Sequence, residues 1–185
     1  IKGVDSLFSE VNPIKKNIGV LMFQFEYLNK QKLSGLTEFI DRVESFVESL
    51  DKKFVYGIEV RNPNFLKKPF FDLLNLHNLS MVFLQGYFMP PIWDVFNEFK
   101  EQINYTAVIR LHGPDRSGIE KKTGNVWNQI VEPKDDELKK VAEMINYLQN
   151  KKVDLYVNVN NHFEGSAPLT IEKINNILNS DFTKH

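Results

Sequence analysis

An α/β protein built on a parallel sheet is the fold class this sequence predicts, and two observations predict it. Apolar runs of strand length alternate with amphipathic helical stretches from one end of the chain to the other, the pattern of repeated βα units rather than of segregated helices and strands. Several of the runs then turn polar on one face at their C-terminal ends, as strands do beside the mouth of an α/β fold. Tyr105 to Gly113, YTAVIRLHG, shows both features. Side chains alternate across a strand, so Arg110 and His112 share a face with Val108, while Ala107, Ile109 and Leu111 face the other way.

The elements follow in order. Val4, Leu7, Phe8 and Val11 recur at helical spacing until Asn12-Pro13 ends the pattern, which predicts a first short helix. Ile18 to Phe25, IGVLMFQF, is a strand. Leu36, Phe39, Ile40, Val43, Phe46, Val47 and Leu50 fall on one helical face, opened by Ser34 or Gly35. Phe54 to Val60 is a second strand, and Pro69 begins a helix through Phe70, Phe71 and Leu74. Leu79 to Leu84 is a third strand; after Pro90-Pro91, Ile92, Val95, Phe96 and Phe99 outline a helix leading to the Tyr105 strand. A polar segment from Gly113 to Pro133 exceeds the usual connection in a compact domain and predicts a mobile lid or binding loop, with Trp127 anchoring it to the body. Leu138, Val141, Ala142, Ile145 and Leu148 mark another helix, Leu155 to Val159 the fifth strand, and Ile171, Ile174, Ile177 and Leu178 the last helix, capped by Thr170.

Two architectures accommodate five such units. A (β/α) barrel needs eight strands and typically about 250 residues, which would make this chain a fragment. A flavodoxin-like open sheet fits 185 residues directly, but it lacks support from a Gly-rich first βα turn. Either way one domain over residues 1–185 is expected.

The bulk numbers narrow the partners. Basic residues number 23 and acidic residues 24, so no global field draws the chain to nucleic acid or anionic membrane; nucleic acid stays open only through a local patch. Cysteine is absent, which excludes disulfides and thiolate catalysis and fits a reducing cytoplasm. No leader-like segment and no run near 18 apolar residues points to a membrane. The chain begins Ile1-Lys2-Gly3 rather than with Met, from which a piece of something longer is expected. Oligomeric state is not legible.

The same alternation applied to every strand builds a polar edge. Gln24 and Glu26 follow Met22 on one face; Glu59 and Arg61 share a face with Gly57; Asn158, Asn160 and His162 follow Tyr156; the third strand offers mainly Gln85. Arg61 and Arg110 suit a phosphate or carboxylate, which guanidinium groups bind in bidentate fashion. His112 has an ordinary pKa near neutrality, and Glu59 is a second proton carrier or its orienting partner. A structural ion-pair network of Glu59, Arg61 and Arg110 explains the same residues without catalysis, since buried charges must be paired in either case. A divalent-metal set of Glu59, His112 and His162 has no dedicated motif spacing, so no metal or cofactor is assigned. Nucleophile-elbow, P-loop and Rossmann signatures are absent.

IGVLMFQF, YGIEVRNPNF, AVIRLHG and LYVNVNNHFEGSAP, in this order and spacing, resemble the DUF72 family of YecE-like proteins. VWNQIVEPKDDELKKVAEMI is similar to the family's segment between its last two strands. The resemblance covers essentially the whole chain. It implies a TIM-barrel-like fold of which these would be the C-terminal five βα units, the N-terminal strands being missing. It also maps the family's polar positions onto Gln24, Glu59, Arg61, Arg110, His112, Asn160, Asn161, His162 and Gly165. Glu26-Tyr27 stands where the family has prolines, Phe65 where it has Trp, and Gln85 where it often has Asp; it carries no reaction over.

The expected function is therefore acid/base chemistry on a small anionic substrate, phosphorylated or carboxylated. His112 and Glu59 would be catalytic, and Gln24, Arg61, Arg110, Asn160, Asn161 and His162 would bind substrate. The alternatives are a non-catalytic protein binding a metabolite or nucleic-acid phosphate, and a metal-dependent hydrolase.

Overall fold

In a computed structural model, which describes residues 10–182, five parallel strands lie in the order β1-β2-β3-β4-β5. They are β1 (Leu21–Gln24), β2 (Tyr56–Glu59), β3 (Ser80–Gly86), β4 (Thr106–Gly113) and β5 (Asp154–Val159). Between and after them run α1 (Leu36–Glu48), α2 (Lys68–Leu76), α3 (Ile92–Phe99), α4 (Arg116–Thr123), α5 (Asp135–Asn150) and α6 (Ala167–Phe182). Consecutive strands are sheet neighbours throughout, the commoner arrangement of sequential elements. The helix expected over Val4–Val11 lies, but for its last two residues, outside the described ones.

The periodicities act as expected. In α1 the apolar stripe buries Phe39, Val43 and Val47, and the Ser34 hydroxyl and amide both donate to the Glu38 carboxylate at 2.6 and 2.7 Å, holding the first turn closed. Pro69 sits in the first turn of α2, where its missing amide costs nothing. The helix-facing side of the sheet forms the main core: Ile58, Met81, Phe83, Ala107, Ile109 and Leu111 meet Phe39, Phe70, Phe71, Phe96 and Leu138. Phe71 and Phe99 stack at 4.0 Å between centroids. Each such ring, fully withdrawn from water, stabilises the fold by about 1.5–3 kcal/mol.

The other side of the sheet is concave. Gly19, just ahead of β1, lies against the Tyr156 ring of β5, so that a side chain there would collide with it. These two elements belong to opposite edges of the sheet, and only a strongly curled sheet brings them together. The inner face is apolar toward the strand N-termini, through Met22, Val82, Val108 and Tyr156, and polar toward the C-termini. Among the described residues no helix is long and apolar enough to cross a membrane.

Two expectations need correction. The segment from Gly113 to Pro133 is not a structureless loop: Asp115 caps α4 by accepting from the Gly118 amide at 2.9 Å, and Gly124 ends that helix in the left-handed conformation. Downstream, the Val131 and Glu132 amides donate to the Glu164 carbonyl, and Trp127 meets the His162 ring at 5.0 Å, the anchoring contact expected of it. Nor does Thr170 cap the last helix. The helix starts at Ala167, whose amide donates to Asn161 Oδ1 at 2.8 Å, and Thr170 lies buried one turn in, donating to Glu164 Oε2.

Candidate functional site

Parallel register sets Gln24 beside Glu59, and Leu84, Arg110 and Asn158 side by side across β3, β4 and β5. Because the sheet curls, long side chains from β4 reach across the concave face to β1 and β2. Arg110 does so: its Nη1 donates to Gln24 Oε1 at 3.2 Å and to Glu59 Oε2 in a short ion pair, while Nη2 donates to His112 Nε2 at 2.8 Å. Glu59 is fully buried. Its second oxygen faces Arg61 Nε at 3.4 Å, so both carboxylate oxygens are engaged by guanidinium groups. This meets the requirement that a buried charge be paired.

The hydrogen bonds also fix the state of His112. A guanidinium can only donate, so Nε2 must carry the lone pair and the ring is neutral with its proton on Nδ1. That nitrogen lies 3.3 Å from the Tyr87 hydroxyl and donates to it. Burial, joined by the positive charge of Arg110, pushes the His112 pKa below its ordinary value, consistent with this tautomer. Linkage follows with a definite sign: the unfolded chain binds a proton on this histidine more readily than the folded one. Its contribution to stability is therefore complete above about pH 6.5 and is lost as the pH falls toward the depressed folded value. Urea midpoints between pH 7.5 and pH 5 are expected to fall less steeply in His112→Gln than in the wild type. Identical slopes would show that His112 stays outside the proton balance.

A second cluster flanks the first. Asn160 Oδ1 accepts from the His162 amide at 3.0 Å and faces His162 Nδ1 at 2.5 Å, while His162 Nε2 faces Glu120 Oε1 at 3.1 Å. Oδ1 is pinned as an acceptor by the backbone amide, so both His162 ring nitrogens face acceptor oxygens. Asn161 points elsewhere, its side chain holding the start of α6.

The candidates thus divide. Gln24, Glu59, Arg61, Arg110 and His112 converge; Asn160 and His162 form the flanking cluster with Glu120; Asn161 supports the backbone. Among the described residues no three acidic or histidine side chains gather as metal ligands; Glu59 and His112 are both held by Arg110, and His162 by Asn160 and Glu120. Gln85, taken from the sequence as the third strand's polar group, turns to the helix layer instead. It donates to Glu137 at 2.8 Å and accepts from the Ile92 amide at 3.1 Å. Its parity is that of Phe83, on the core side. A register shift at Gln85/Gly86 then re-aims the chain so that Tyr87 supplies the β3 contribution, its ring 4.6 Å from the Arg61 guanidinium.

Glu164 also escaped the sequence reading. Fully buried, it accepts from the Lys134 amide, Lys173 Nζ and Thr170 Oγ1 at 2.7 to 2.8 Å, tying α5 and α6 to the loop that carries Asn160 and His162.

A curled parallel sheet with paired arginines and a neutral histidine over one buried carboxylate, all at the strand C-termini, defines a βα-repeat protein with a polar mouth. The chain belongs to the DUF72 family, described as a protein of unknown function, with a match over residues 2–185. Among solved structures it is similar to a DUF72 family protein from Thermotoga maritima, with a TM-score of 0.66 and 18% identity over 95% of this chain and 64% of that one. Two crystal structures of a DUF72 family protein from Enterococcus faecalis give TM-scores of 0.65 and 0.64, at 15% and 17% identity, over 95% of this chain and 65% and 68% of theirs. These likenesses show a shared fold, and the chain spans about 64% of the length of the Thermotoga maritima protein. No curated protein matches it.

Proposed function

We propose that the mouth binds a small phosphorylated or carboxylated substrate and acts on it by proton transfer. The observation that carries this reading is a charge imbalance: Glu59 neutralises one of the two guanidinium groups that touch it, and His112 is neutral, so one positive charge is left facing the mouth. An anion recruiting Arg110 Nη2 would release the His112 Nε2 lone pair, which would then take a proton from the substrate and return it at the end of the cycle. The depressed pKa of His112 keeps that lone pair available at neutral pH. Glu59 would orient the guanidiniums from below, and Gln24, Asn160 and His162 would shape the polar wall.

The five units would be the C-terminal part of a TIM-barrel-like fold, a reading supported by the curl and by the exposed Met22 and Tyr156 on its concave face. Binding without turnover is the second reading, and the engagement of both Glu59 oxygens favours it, because it leaves no free carboxylate to act as a base.

Calorimetry with inorganic phosphate and with sulfate tests the anion site. Arg61, with its side chain one-quarter exposed and its contact to Glu59 the longer of the two ion pairs, is the cleaner probe: Arg61→Ala is expected to weaken phosphate binding at least ten-fold with a smaller fall in urea midpoint than any Arg110 variant shows. Wild-type protein that binds neither anion would remove the reading.

A further inference from the structure

Beside the arginines lies a hollow that the anion reading leaves unused. It measures about 800 Å³ and is lined by Tyr27, Arg61, Pro63, Tyr87, Phe88 and Met89, a size within the ~300–1,000 Å³ of small-molecule sites. Its walls come from the ends of β1, β2 and β3, the same edge that supplies the polar cluster. Phe88 is 97% exposed and Tyr27 60% exposed, which costs apolar hydration for no packing gain within the chain. The turn that presents Phe88 is strained at its tyrosine: after Gly86, whose φ of 137° a glycine adopts freely, Tyr87 has φ of 54°, a conformation unfavourable for a tyrosine. What this turn achieves is to lay the Tyr87 ring against the Arg61 guanidinium and to bring its hydroxyl to His112. Tyr87 and Arg61 therefore belong to both the hollow and the polar cluster.

We infer that the ligand of this mouth carries a flat ring attached to its anionic group, the ring stacking in the Tyr27–Tyr87–Phe88 hollow while the anion meets Arg61 and Arg110. A nucleoside monophosphate or an aryl phosphate has this chemistry. The inference rests on the anion reading and adds the ring to it. A single small molecule is favoured over a nucleic-acid strand because the cluster offers one uncompensated positive charge and the chain as a whole carries a net charge of −1, whereas strand binding needs a row of phosphate contacts.

Phenyl phosphate and methyl phosphate, with adenosine 5′-monophosphate as a larger probe, separate the two parts of the ligand. Phenyl phosphate or the nucleotide is expected to bind the wild type at least about ten-fold more tightly than methyl phosphate, the order of effect of one stacked ring. The preference is expected to vanish in Phe88→Ala combined with Tyr27→Ala, while methyl phosphate binding persists. Equal affinity for ringed and ringless phosphates would overturn the inference and leave the anion site standing. Failure of all three to bind would overturn both. A short oligonucleotide that binds more tightly than the mononucleotide, with affinity falling steeply in salt, would overturn the single-molecule form. A self-association abolished by Phe88→Ala, without ring preference, would assign the hollow to a second copy of the chain instead.

Discussion

Arg110→Met is expected to destabilise the protein by ~3–5 kcal/mol, the cost of stranding a buried carboxylate without its main partner. Glu59 has no exposure to fall back on, and Arg61 at 3.4 Å cannot replace the lost ion pair without moving. The reverse substitution should be milder. Glu59→Met leaves two guanidiniums, but their side chains retain 17% and 25% exposure and can turn toward water. The double variant should recover most of the loss of Arg110→Met, since an apolar pair of similar volume is often neutral or better than a buried ion pair. Urea denaturation of the four proteins completes the cycle. Additive effects, with the double variant worse than either single one, would show that Glu59 and Arg110 are not coupled and would undermine the charge balance on which the proposed anion binding rests.

Gly113→Val is expected to cost at least ~3 kcal/mol, from backbone strain and overpacking together. Gly113 has φ of 81°, a conformation that a β-branched residue scarcely adopts. A Cβ at that position would also run into the carbonyl oxygen of His162, so the end of β4 and the loop after β5 approach each other only because nothing projects between them. Gly124 provides the comparison, with φ of 59° and no atom within 4 Å of a built Cβ. Gly124→Ala should show the conformational cost alone, and Gly113→Ala should exceed it. Trp127 fluorescence reports on the neighbouring His162 contact and is expected to change in the Gly113 variants only. Equal midpoints for the two alanine variants would refute the close approach.

Much of the site could be read along the chain because strand alternation is a local property. The parity that sets Arg110 and His112 with Val108, and Glu59 and Arg61 with Gly57, depends only on the backbone being extended, and the apolar stripes announced where it would be. The same rule failed at Gln85. There parity was read without knowing which face was concave, and the register shift at Gln85/Gly86 is decided by the neighbouring strand. Tyr87 was invisible for the same reason. Asn160, Asn161 and His162 are consecutive, yet Asn160 and His162 bond each other while Asn161 turns to the start of α6, because the chain leaves the strand at Val159 and alternation ends with the strand. The polar segment after Gly113 looked structureless because its helix is short and has little apolar periodicity, holding instead through the Asp115 cap and the Glu164 contacts.

By itself, the sequence determined the α/β class, the order of the elements and the list of polar groups at the strand ends, since each follows from composition and short-range periodicity. Only the tertiary structure decided which of those groups meet. The curl of the sheet carries Arg110 from β4 to Glu59 and Gln24, a reach across 51 and 86 residues of chain that no local pattern encodes. That contact, and the neutral histidine it holds, turn a row of polar side chains into a mouth with one positive charge to spare.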